Sequence, residues 1–221
     1  MRKQMVDRAK SQDKGLCENH GARPPRLAAL DQVVLSDFRQ RLYEEALKHC
    51  SGSVAWRKRK TAEARDLLAL SEITSRFHVA FLDLRESLRA VAVLHAPVPL
   101  SPDGEGKLRI APLALLGITY PEEAILRPLP GYGSVQLLQP EGIFHPNGRG
   151  QNPQMLCLGV ALPASIQLKE IVLMTYALLT LQTVMLDEGD AAGVMNAEAA
   201  RYFRDRMHLV PLTREPFLDP P

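Results

Sequence analysis

The chain has 221 residues, 27 Lys and Arg against 25 Asp and Glu for a formal charge of +2, and 46% apolar content. That length suffices for one domain with extensions or two small ones, and the composition excludes a wholly disordered or collagen-like chain. Near-neutral charge gives no whole-protein electrostatic case for nucleic acid, and three scattered cysteines, Cys17, Cys50 and Cys157, make no disulfide framework.

No CxxC pair and no HxxxH or HExxH spacing occurs, so neither a metal site nor a cofactor is expected. The N-terminus is charged and lacks the apolar core of a signal peptide. The most apolar stretch, residues 171–186, is too short to span a bilayer. The expectation is a cytoplasmic, reducing location with no membrane partner.

In chain order, residues 1–25 are polar and aperiodic and read as a flexible arm. Residues 26–75 read as a helical N-terminal extension and a first core helix. Leu30, Val33, Val34, Phe38, Leu42 and Leu47 recur at mostly helical spacing over 27–49, with Asp31 and Ser36 as possible caps. Ser51-Gly52-Ser53 interrupts that pattern, and a second helix covers 62–70 after the basic run Arg57-Lys58-Arg59-Lys60. Four charges beside one Trp56, with no groove of aromatics, read as a solvated face rather than a nucleic-acid site.

The core follows over 76–210. Four strands are predicted, at 77–84, 88–95, 108–118 and 134–138, joined by short connectors such as Ser101-Pro102-Asp103-Gly104-Glu105-Gly106. Short connectors predict an antiparallel meander rather than a parallel sheet with helical crossovers. Residues 139–163, rich in Pro, Gly and Asn, read as a long irregular loop of the kind that carries function. A buried helix is predicted over 166–186, then the acidic loop Asp187-Glu188-Gly189-Asp190, then a helix over 196–207 with Asn196 as N-cap. Residues 211–221 form a Pro-rich tail, either ordered or a peptide for a partner. The fold class is α+β.

The long loop holds His145-Pro146-Asn147 and then Cys157-Leu158. A cysteine on a loop just before a buried helix can be an accessible nucleophile. The alternative is a buried small hydrophobe. Asn147 offers an amide that can hold the loop or donate to an oxyanion.

Tyr120-Pro121 at a strand end, His145-Pro146-Asn147, Cys157-Leu158 and a buried helix, taken together, resemble the ubiquitin-conjugating enzyme family. Downstream, Asn196-Ala197-Glu198-Ala199-Ala200, followed by Arg201-Tyr202-Phe203-Arg204, is similar to a second segment of that family. The resemblance covers residues 77–206. It departs at residues 122–133, which read as an insertion, and in a stretched interval between His145 and Cys157. Gly159 stands where an acidic residue is usual, the tryptophan common after the cysteine is missing, and residues 191–194 enlarge the loop before Asn196. This divergence is similar to bacterial ubiquitin-conjugating-like proteins of antiphage operons.

The resemblance implies a ubiquitin-conjugating-like fold with a four-stranded meander sheet, an N-terminal helix, a buried central helix and a C-terminal helix. It implies that Cys157 accepts a ubiquitin-like protein as a thioester from an activating enzyme and passes it to an amine on a target protein. Asn147 would stabilise the oxyanion or brace the loop, His145 would mainly hold the turn, and Tyr120 would support the active site or the sheet end. Asp190 would orient or deprotonate the incoming lysine, with Asp187 and Glu188 competing for that role. The first core helix would dock the activating enzyme, and a deubiquitinase-like metalloprotease would share the operon. The alternatives are an inactive ubiquitin-like-binding module and a cysteine hydrolase using His145 as base.

Overall fold

The computed structural model describes residues 29–189 and 193–219. The predicted arm, Cys17 and Asp190 lie outside the described residues. Helices α1 (Ala29–Lys48) and α2 (Val54–Ile73) precede five strands: β1 (Phe77–Asp83), β2 (Leu88–Leu100), β3 (Arg109–Tyr120), β4 (Leu129–Gln139) and β5 (Gln154–Leu162). Helices α3 (Leu168–Leu179) and α4 (Ala197–Arg204) follow. The strands form one antiparallel sheet in the order β1-β2-β3-β4-β5.

The α+β class and the meander agree with the sequence reading, but the sheet has five strands and not four. The fifth lies inside the passage read as a loop. Pro153 and the Gly- and Asn-rich segment before it masked the apolar run that follows. Bulges in the β4–β5 pairing further break the alternation by which a strand is recognised.

One face of the sheet carries the core. On β2, Leu88, Ala90, Ala92, Leu94, Ala96 and Val98 alternate inward, the period-2 pattern of a strand with one face packed. Helix α2 packs on β1, α3 packs on β2 and β5, and the two helices meet over that face. A second, smaller cluster of Phe144, Leu181, Ala199 and Phe203 seats α4.

Ser53 starts α2: its backbone is extended, at ψ 157°, and its hydroxyl accepts the Trp56 amide. From there Trp56, Lys60, Glu63, Ala64, Leu67 and Ser71 recur at helical spacing on the buried face. The basic run is therefore divided, which corrects its reading as one solvated face. Arg57 and Lys58 are exposed and Arg59 is half-buried, whereas Lys60 has no exposed surface.

The Lys60 ammonium donates to the carbonyls of Ser51 (2.8 Å), Leu84, Arg85 and Glu86 (3.4 Å), and lies 5.4 Å from the centre of the Trp56 ring. These carbonyls belong to the α1–α2 linker and the β1–β2 turn, so one side chain ties the two together. Burial pushes the Lys60 pKa down from its ordinary value.

Helix α3 opens with a reciprocal cap between Gln167 and Glu170. It ends earlier than the apolar run predicts, because Thr180 returns its hydroxyl to the Tyr176 carbonyl at 2.8 Å and Leu181 turns left-handed, at φ 57°. Helix α4 is capped by Asn196, whose Oδ1 accepts the Ala199 amide at 3.0 Å, as the sequence predicts.

Residues 211–219 pack against the domain. Phe217 is buried, with ring centres 5.2 Å from Tyr176 and 6.4 Å from Phe77, and its carbonyl accepts the Thr74 hydroxyl at 2.7 Å.

Lys60→Met is expected to lower the unfolding free energy by about 2–3 kcal/mol, the scale for buried carbonyls left without a donor. Urea titration measures it. A Met variant as stable as the parent would mean that the ammonium contributes nothing net.

Candidate active site

His145, Pro146 and Asn147 form a buried turn between β4 and β5. His145 Nε2 lies 2.7 Å from the Leu178 carbonyl near the end of α3, and Nδ1 accepts the Asn147 amide at 3.0 Å. Those partners assign the neutral tautomer with the proton on Nε2. Complete burial, only partly offset by the Leu178 carbonyl, pushes the pKa of His145 down to about 4.

Asn147 is also buried. Its Nδ2 donates to the Gly193 carbonyl at 2.6 Å and its Oδ1 accepts the Met185 amide at 3.1 Å. The Pro146 carbonyl takes the amides of Met195 (2.8 Å) and Asn196 (3.0 Å). The turn thus grips the segment between α3 and α4 on both sides of the acidic loop. In this arrangement the Asn147 amide braces loops, one of the two roles read from the sequence.

The same turn grips Cys157. The Cys157 amide donates to the Asn147 carbonyl at 2.8 Å, and Arg149 donates to the Met155 carbonyl at 2.9 Å. Cys157 does not sit on a loop, as the sequence reading has it; it lies within β5. Leu156 and Leu158 enter the main core, so strand alternation turns Cys157 to the opposite side of the sheet. It is 5% exposed there, and its thiol lies 3.3 Å from the Gly159 carbonyl.

The pairing around Cys157 is irregular. Tyr132 is its register partner on β4, and the register shifts on both sides, between Pro130 and Tyr132 and between Tyr132 and Gln136. Such bulges re-aim individual side chains. Gly131 cannot be larger, because an added Cβ would stand 1.6 Å from the Gly159 oxygen. Gly159 itself has φ +128°, a conformation that other residues rarely adopt. Buried Gln154 closes the other end of the site, accepting the Ile143 amide and donating to the Pro140 carbonyl.

Of the acidic residues, Glu188 is paired with Arg201 and Arg204, at 2.9 Å each, and Asp187 accepts the Gly189 amide within its own turn. Asp190 lies outside the described residues.

Tyr120 is buried and belongs to a separate network. Its hydroxyl donates to the Ile166 carbonyl (2.7 Å) and accepts from Arg59 (3.1 Å). Arg59 also pairs with Glu63 at 2.7 Å, and Glu63 accepts the Leu168 amide at the start of α3. Burial pushes the Glu63 carboxyl up despite these partners. The network joins α2, β3 and the start of α3, so these bonds place Tyr120 at the sheet end, one of the two positions read from the sequence.

Sequence reasoning missed Gly131, Tyr132, Gln154 and the Met185 and Gly193 backbone groups. Only the Gly131-Tyr132-Gly133 triplet carried a signal, two glycines around one aromatic. Among the described residues no group of three or more His, Cys, Asp or Glu side chains could hold a metal ion, and no helix is long and apolar enough to cross a membrane.

Taken together, the site offers a thiol on a bulged strand, fixed by a turn that binds its own strand and the segment after α3. A thiol can act as a nucleophile toward an acyl group.

His145 makes stability depend on pH. It titrates near 6.5 when unfolded and near 4 when folded, so the unfolded chain binds more protons between these values and stability falls as pH drops through that window. The full contribution, about 3 kcal/mol, is present above pH 6.5 and lost by about pH 4. His78, pushed down by burial and by His95, acts in the same direction, so a comparison isolates His145. The stability advantage of the parent over His145→Gln, measured by urea titration, should be largest at pH 7 and shrink toward pH 4. A constant gap would contradict the assignment.

Compared with protein-family models, curated proteins and solved structures, the chain finds no match in any of the three.

Proposed function

We propose that the chain is a ubiquitin-conjugating-like acyltransferase with a divergent ubiquitin-conjugating-like fold, acting through Cys157. The supporting observation is the 2.8 Å bond from the Cys157 amide to the Asn147 carbonyl. It sets side by side two of the sequence motifs that carry the resemblance, His145-Pro146-Asn147 and Cys157-Leu158, ahead of a buried helix.

In this reading the Cys157 sulfur attacks the thioester that joins the carboxy-terminal glycine of a ubiquitin-like protein to an activating enzyme. A new thioester forms on Cys157 and the activating enzyme's cysteine leaves as a thiol. A target amine then attacks, an amide forms, and Cys157 leaves with the proton that the amine gives up. The acyl group is already activated, so the attack does not depend on a dedicated general base. His145 and Asn147 position the thiol strand and the segment after α3. Asp190, or its neighbours Asp187 and Glu188, would receive the acceptor amine.

The exposed basic side chains Arg57, Lys58 and Arg65, with Val54 on the same face of α2, give an acidic surface of the activating enzyme a place to dock. The narrower placement belongs to the same proposal: a cytoplasmic bacterial protein beside a ubiquitin-like modifier, an activating enzyme and a deubiquitinase-like metalloprotease in an antiphage operon. The hydrolase alternative needs His145 as a base for Cys157, but both ring nitrogens are committed to backbone partners.

Charging tests the proposal. Incubation with a ubiquitin-like protein, its activating enzyme and ATP, read by intact mass, should give a modifier-sized adduct that dithiothreitol removes. Cys157→Ala should give none, and Cys157→Ser a thiol-resistant ester. A chain that binds the modifier and never forms the adduct would be a binding module instead.

A further inference from the structure

Tyr132 presents a large aromatic side chain beside Cys157 for which the fold has no evident use. It is the register partner of Cys157 across the β4–β5 pair, and directly opposed residues of an antiparallel pair project from the same face. Yet Cys157 is 5% exposed while Tyr132 is 55% exposed. Among the described residues, the Tyr132 hydroxyl has no hydrogen-bond partner and its ring has no aromatic or cationic neighbour.

The backbone on either side is restricted to glycine for two separate reasons. At Gly131 an added Cβ would collide with the Gly159 carbonyl, which also lies within reach of the Cys157 thiol. At Gly133 there is open space, but φ is +95°, a conformation disfavoured for other residues. The triplet therefore removes its own neighbours' side chains and leaves one exposed ring in register with Cys157; Val160 on β5 is exposed as well, at 72%. A ring of this kind supplies contact area at low conformational cost to a chain laid against it.

We propose that Tyr132 is a positioning residue for the acyl donor, its ring forming the wall against which the extended carboxy-terminal tail of the donor lies as its last carbonyl reaches Cys157. This inference rests on the acyl-transfer reading. A nearly buried thiol is reached by a slender chain end, and the wall holds that end in register with Sγ. The step is thioester exchange: the Cys157 sulfur bonds to the donor carbonyl carbon, the donor carbon–sulfur bond breaks, and the leaving thiol carries the proton.

Two probes on the full chain separate positioning from simple cover. One is iodoacetamide, which needs only access to the thiol. The other is a synthetic peptide ending in Gly-Gly as a mercaptoethanesulfonate thioester, which acylates Cys157 without an activating enzyme. Both are read by mass spectrometry on the peptide that contains Cys157, with Cys157→Ala as background. In Tyr132→Ala, acylation by the peptide thioester should slow about fivefold, the scale of one lost aromatic contact, while alkylation stays equal or quickens. Tyr132→Phe should restore acylation, because the ring and not the hydroxyl is used.

Acylation and alkylation that both quicken in Tyr132→Ala, or that both stay unchanged, would overturn the positioning role. So would slowing of both reactions together with a lowered melting temperature in the Ala and Phe variants, which would make Tyr132 a structural residue. Normal alkylation of the parent with no acylation at all would instead count against the acyl-transfer reading, and Tyr132 would fall with it.

Discussion

The His145 imidazole, buried and neutral, donates to the end of α3 from one nitrogen and holds the Asn147 amide on the other. A histidine so placed cannot exchange its partners for water, so the turn it closes has one geometry. From that turn the Pro146 and Asn147 carbonyls and the Asn147 side chain reach three further segments: β5 at Cys157, the chain leaving α3 at Met185, and the chain approaching α4 at 193–196. The position of the thiol strand and the position of the acidic loop's two ends are thus consequences of one buried ring. Its loss would be felt at every one of these contacts, because a buried polar network left half satisfied is worse than none.

Two other fastenings act elsewhere in the fold. The Lys60 ammonium holds the linker before α2 to the β1–β2 turn, and the Arg59–Glu63–Tyr120 group holds α2 to β3 and to the start of α3. Both arise from the basic run. The half of that run that helical spacing turns inward is structural, and the half turned outward, Arg57 and Lys58, is left for a partner. A charged stretch in sequence was therefore two features in space. Buried cations of this kind survive because each finds carbonyl or carboxylate oxygens at once.

The meander over β1 to β3, the N-cap at Asn196 and the approximate extents of the helices were legible because each rests on a local rule: alternation, spacing or capping. β5 was not. Its pairing is broken on both sides of Cys157, and its first residues follow Pro153 at the end of a Gly- and Asn-rich passage, so neither alternation nor composition marked it as a strand. The residues of the candidate site were legible as a list, since His145, Asn147 and Cys157 stand close in sequence. What the list could not convey was which atoms each would use. That Asn147 directs its amide to Gly193 and Met185 follows from long-range contacts with a loop that carries no pattern of its own. Tyr132 was passed over because its segment read as an insertion, and only register placed it opposite the thiol.

The His145–Asn147 turn couples the Cys157 strand to the segment between α3 and α4 as one unit. Native-state hydrogen exchange on the parent and on Asn147→Ala, resolved at the amides of Cys157, Met185, Met195 and Asn196, tests it most directly. All four amides should lose protection together in Asn147→Ala, by comparable factors, while the β1–β2 amides keep theirs. Loss confined to Met185, with Cys157, Met195 and Asn196 protected as in the parent, would contradict it.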